Sequence, residues 1–82
     1  MSKAGGNWKY AATVVDGNRF EIDKLNIWDH EWIDTGETIQ VKDPLYGREF
    51  TFTIYEIENG NKKVKFAGGE FSNGMWGIYL PR

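Results

Sequence analysis

The eighteen residues Glu49–Phe66, EFTFTIYEIENGNKKVKF, decide how this chain is read. Phe50, Phe52 and Ile54 alternate with polar residues at the period of a half-buried strand. Beyond the turn signal Glu58-Asn59-Gly60, Val64 and Phe66 alternate with lysines in the same way. Two hairpin registers fit this stretch. A two-residue Asn-Gly turn sets Val64 against Tyr55 and Phe66 against Thr53. A three-residue loop with Gly60 left-handed instead gives Phe52–Phe66, Ile54–Val64 and Glu56–Lys62. The second register pairs apolar with apolar and is the one expected.

The same pattern extends in both directions. Met75 to Leu80 reads as a last strand with Trp76, Ile78 and Leu80 on one face, approached through Gly68-Gly69 and Ser72-Asn73-Gly74. Upstream, Ile39 and Val41 mark a strand that returns through Pro44-Leu45-Tyr46-Gly47. Pairing Val41 with Phe50 places Lys42 opposite Glu49 and Asp43 opposite Arg48, two matched charge pairs. The first strand carries Trp8, Tyr10, Ala12 and Val14. A three-residue loop Asp16-Gly17-Asn18, with Asn18 left-handed, would pair Val14 with Phe20 and Ala12 with Ile22. Between Ile22 and Leu25 the apolar phase slips by one residue, which suggests a β-bulge near Asp23-Lys24.

The expected fold is therefore all-β, with six short antiparallel strands forming a meander curled into a small, partly open barrel. An SH3-like barrel is the first choice of topology and an OB-like barrel the second. Residues 1–6 read as a flexible tail and residues 7–82 as one domain. The stretch from Trp28 to Gly36 lacks alternation and has room for a helical turn near Asp29.

Composition explains how so short a chain can fold. With no cysteine among its 82 residues, it has neither disulfides nor thiolate metal sites. Its apolar core must come from large side chains, and four Trp, four Tyr and five Phe supply them. Each aromatic buries roughly 150–250 Å², so most of them are needed as core. A net charge of −2 disfavours a nucleic-acid or anionic-membrane partner. No apolar run is long enough to span a bilayer. The start of the chain has no signal-like apolar run, which suits a cytoplasmic protein or one whose signal has been removed. An exposed strand edge would permit a weak dimer, and otherwise the domain is expected as a monomer.

The most unusual segment is Trp28-Asp29-His30-Glu31-Trp32-Ile33-Asp34-Thr35-Gly36-Glu37, which holds two tryptophans, four carboxylates and the single histidine. Asp29, His30, Glu31 and Asp34 are metal-ligand types, but their spacing matches no calcium loop or zinc motif. His30 with a carboxylate would suit acid–base chemistry, yet no cysteine nucleophile or second histidine accompanies it. No metal, cofactor or enzymatic activity is therefore expected. A binding surface remains, in which aromatic rings between carboxylates contact a protein or peptide.

Trp28, Asp29, His30, Trp32 and Asp34 are its candidates in this loop. Trp28 is expected to face outward, and Trp32 to be either site or lid. Tyr46 in a turn, with Tyr55 and Tyr79 off the inward phase, would complete the surface if they converge with Trp28. The alternative is a carbohydrate or single-stranded nucleic-acid module. Lys62, Lys63 and Lys65 form the only basic cluster for the latter.

Overall fold

The alternating runs do form antiparallel strands, and seven are present in a computed structural model that describes residues 8–43 and 45–81. The tail expected over residues 1–6 lies outside the described residues. The strands are β1 (Trp8–Val15), β2 (Glu21–Ile22), β3 (Leu25–Asn26), β4 (Ile33–Lys42), β5 (Glu49–Asn59), β6 (Lys62–Ser72) and β7 (Met75–Pro81). A short 3₁₀ turn spans Ile27–Asp29. Five strands make one sheet in the order β1-β7-β6-β5-β4, while β2 and β3 pair only with each other. The fold is all-β and partly open, with β1 and β4 as the edges of the large sheet.

β4 to β7 run up and down as consecutive neighbours. The first strand departs from a simple meander: β1 lies beside β7, with Val14 opposite Trp76 and Ala12 opposite Ile78. The expected pairing of Val14 with Phe20 is therefore replaced. The reason lies in the turn, where Asn18 N–H donates to Val15 O at 2.9 Å and Gly17 takes the positive φ of 85°. Glycine adopts that conformation at lower cost than Asn18 would. The chain thus leaves the sheet instead of folding back on β1. At Asp23-Lys24 both residues have positive φ (53° and 70°) and connect Ile22 to its partner Leu25. Two positive φ values define a tight hairpin turn, so the phase slip marks a turn and not a bulge.

The β4–β5 register is as the charges indicate, with Val41 opposite Phe50 and Lys42 opposite Glu49. The β5–β6 hairpin differs from both registers weighed for it. Asn59 pairs with Lys62, Ile57 with Val64, Tyr55 with Phe66 and Ile54 with Ala67. Gly60 is left-handed as expected, with φ +64°, but it stands first in a two-residue Gly60-Asn61 turn. Relative to the expected Phe52–Phe66 match the shift is odd, and an odd shift exchanges the faces. Phe52 and Phe66 consequently belong to different apolar clusters.

Two clusters exist because the sheet is apolar on both sides. One contains Val14, Ile57, Val64, Phe66 and Ile78; the other contains Ile39, Val41, Phe52, Ile54, Ala67 and Tyr79. Along β5 the alternation serves first one face, through Phe52 and Ile54, and then the other, through Ile57. A register shift in β1 between Tyr10 and Ala12 does the same there. It leaves Ala11 unpaired and sends Trp8 to one cluster and Ala12 and Val14 to the other.

The first cluster is roofed by the segment between β1 and β4. Ile22, Leu25 and Ile27 are buried within it, and Phe20, Trp28 and Trp32 pack around it. The roof is tied by Ile27 N–H to Phe20 O at 2.9 Å and by Phe20 N–H to Asn26 Oδ1 at 3.0 Å. Beneath the second cluster, Gly69 and Gly77 stand directly opposite each other on β6 and β7. A Cβ at Gly69 would meet the Phe52 ring at 2.5 Å, and one at Gly77 the Phe71 ring at 2.4 Å. Bare backbone is required where those rings lie. Gly69, read as part of the approach to the last strand, is in fact a strand residue with a packing role.

Candidate binding site

The two loop tryptophans turn inward. Trp32 sits among four rings, with centroids of Trp28, Tyr55, Phe66 and Trp76 at 5.0, 5.2, 4.9 and 5.4 Å. Its indole N–H donates to Ile27 O at 2.7 Å. These are the contacts of a lid. Trp28 is half-buried against Trp32 and Trp76, and its Nε1 is enclosed without a hydrogen-bond partner. The outward facing expected for Trp28 rested on strand alternation. The 3₁₀ turn at Ile27–Asp29 interrupts that alternation and lays the indole on the roofed cluster.

Asp29 and Asp34 are exposed and His30 is half-buried. The Asp34 carboxylate accepts the Gly36 N–H at 2.8 Å, which stabilises the irregular stretch of β4 where Gly36 has φ +83°. Among the described residues no group of three or more His, Asp or Glu side chains is placed to hold a metal ion.

Tyr55 is half-buried against Trp32 and Phe66. Tyr79, expected to face outward, is buried in the second cluster. The reversal has the same origin as the β5–β6 register: the supposed outer face is a second apolar face. The Tyr79 hydroxyl donates to Lys42 O at 2.6 Å. Its pKa is raised above the ordinary 10.0, first by burial, then by the neighbouring Tyr10 and Asp43. Trp28, Trp32 and Tyr55 thus converge, but largely as packing, while Tyr46 stands elsewhere.

Tyr46 borders an open groove of about 500 Å³ between the β4–β5 turn and the end of the sheet formed by β1, β6 and β7. Asp43 builds the turn. Its N–H donates to Arg48 O at 2.7 Å, its carbonyl accepts Gly47 N–H at 2.8 Å, and its carboxylate accepts Leu45 N–H at 2.9 Å. Those bonds hold Leu45 and Tyr46 at the tip, 76% and 73% exposed. Across the groove, Tyr10 and Thr13 share a 2.7 Å hydrogen bond between their hydroxyls. The bulge at Ala11 puts both on this side of β1. Phe71, Ser72 and Met75 complete the lining.

The groove's charges are unequal in exposure. Asp43 is the one buried charged residue among those described, and its carboxylate lies 3.7 Å from Arg48. The Arg48 side chain is 61% exposed. Its guanidinium lies 5.6 Å from the Tyr46 ring centroid and 5.5 Å from that of Phe50, so two rings restrict it. A second depression, at the β1 bulge, is lined by Lys9, Tyr10, Ala11, Leu80 and Pro81 and gathers no such set.

The basic cluster has carboxylates of its own. Lys63 pairs with Glu58 at 3.6 Å, Lys62 with Asp23 at 3.5 Å, and Lys65 stands opposite Glu56.

Of the groove residues, sequence reading found only Tyr46. Tyr10 falls in one alternating set with Ala12, and the bulge that separates them leaves no mark in the alternation. Leu45 lies in the recognised turn and Arg48 follows it, and a turn that presents an apolar pair beside an arginine is the available signal. In comparisons with known proteins, the chain matches no family model, no curated protein and no solved structure.

Proposed function

We propose that this chain is a small non-catalytic binding domain that recognises a segment of another protein in the groove between β1 and the β4–β5 turn. One observation carries the reading. Of six large apolar side chains exposed among the described residues, four line this groove: Tyr10, Leu45, Tyr46 and Met75. Exposed apolar groups gathered around a concavity favour protein contact, whereas scattered ones are ordinary surface. Tyrosines suit such contact because they give a large area at small entropic cost. The partner segment therefore meets Tyr46 from the original candidate set, and Trp28, Trp32 and Tyr55 serve mainly to hold the roof.

Against the nucleic-acid alternative stands the lysine cluster, each member of which faces a carboxylate of this chain. The non-catalytic reading is supported by a groove whose one buried carboxylate is already engaged by Leu45 N–H and Arg48. The test is selection from a displayed library of random peptides, with parallel glycan and oligonucleotide arrays. Peptide binding that Tyr46→Ala abolishes is the expected result. Glycan or oligonucleotide binding without peptide binding would replace this reading with the alternative.

A further inference from the structure

Arg48 gives the groove a chemical preference. Its guanidinium has five N–H donors and no acceptor, and Asp43 is the only carboxylate within ion-pair distance among the described residues. That pair is long, 3.7 Å, and Asp43 already accepts the Leu45 N–H. Most of the fork's donor capacity is thus turned to solvent at the groove. The rings of Tyr46 and Phe50 restrict the fork beforehand, which lowers the entropy lost when it binds. Leu45 and Met75 place apolar contact area in the same groove.

We propose that the groove selects an internal peptide segment in which an Asp or Glu side chain adjoins a large apolar residue, the carboxylate engaging Arg48 and the apolar side chain packing against Leu45, Tyr46 and Met75. This rests on the peptide-binding reading above and adds the identity of the segment. Charge complementarity decides for an acidic peptide, because the groove's exposed charge is a cation and its anion is buried. The planar fork suits a carboxylate better than a lysine would.

The experiment is a random heptapeptide library, displayed as internal segments, panned on the wild-type domain and on Arg48→Gln. Wild-type selections are expected to enrich Asp or Glu beside Leu, Phe or Met, and Arg48→Gln selections to keep the apolar position and lose the acidic one. Enriched peptides are then synthesised with blocked termini and compared with their Glu→Gln or Asp→Asn versions on the wild-type domain. A loss of about tenfold or more is expected, as for a charge-assisted hydrogen bond removed, together with weaker binding at high salt. This peptide-side comparison holds even if Arg48→Gln disturbs the turn. Peptides that depend on Tyr46 but show no acidic preference, or Pro-rich peptides lacking a carboxylate, would overturn the inference and leave the groove reading intact. Selection of no Tyr46-dependent peptide would overturn both.

Discussion

The hydroxyl of Tyr79, in the middle of β7, donates to the main-chain oxygen of Lys42 at the end of β4, 2.6 Å away. β7 and β4 are separated in the sheet by β6 and β5. The bond therefore measures how far the sheet curls, since it joins strands that do not pair. It also places the β4–β5 turn near β1, leaving the groove between them.

Removing that bond should loosen the curl without emptying the core. Tyr79→Phe is expected to lower stability by about 1 kcal/mol, the usual net value of a hydrogen bond. It should also change the alkaline limb of stability. The folded-state pKa of Tyr79 lies above the unfolded value near 10, so the native chain retains this proton after the unfolded chain has lost it. The contribution is complete below that pH and declines as pH rises through 10 and on to the folded pKa. Urea denaturation from pH 8 to 11 should show a shallower decline in Tyr79→Phe than in the wild type.

The glycine pair under Phe52 and Phe71 predicts a different failure. Gly77→Ala would place a methyl group 2.4 Å from the Phe71 ring and 3.0 Å from that of Phe52. Overpacking of this kind costs about 1–3 kcal/mol. Combining Gly77→Ala with Phe71→Leu should recover part of the loss, giving a non-additive double-mutant cycle in thermal unfolding. An additive cycle would mean that the glycine matters for some reason other than this contact.

Trp32 should behave as a structural residue. Trp32→Ala removes four ring contacts and a hydrogen bond. A loss of about 3 kcal/mol is expected, a large share of the stability of so small a domain. Circular dichroism and denaturation measure it directly. Trp28→Ala should cost less, because Trp28 makes fewer ring contacts and its indole N–H has no partner to lose. Neither variant, where it remains folded, should alter binding at the groove.

Tyr46 should give the opposite result. Its side chain projects from the turn, so Tyr46→Ala is expected to change stability by no more than about 0.5 kcal/mol. Peptide binding measured by calorimetry should nevertheless be lost. A stable variant that binds as well as the wild type would remove Tyr46 from the site.

Alternation and turn residues carried the strands, the antiparallel class and the β4–β5 register, because those depend on neighbours a few residues apart. Val41, Phe50 and the flanking charges settled that hairpin locally. The β5–β6 register did not yield to the same logic. It assumed one apolar face, whereas Ile54 and Ile57, three residues apart, are both buried on opposite sides. The site was less legible still. Trp28 and Trp32 stand out by composition and pack on the first cluster away from the proposed groove, and Tyr10 acquires its place only through the unpaired Ala11.

By itself the sequence determined that this protein is a cysteine-free, aromatic-rich, antiparallel β domain, for side-chain period and turn chemistry are local properties. The fully buried core is mainly aliphatic, with Phe52, Phe66 and Tyr79 its aromatic members and most other rings packed around it. Tertiary structure alone decided that β1 lies beside β7, that the sheet is packed on both faces, and that Tyr10, Tyr46, Arg48 and Met75 share one groove. Those relations join residues distant along the chain. They follow from which apolar face finds cover, and no spacing between neighbouring residues encodes that.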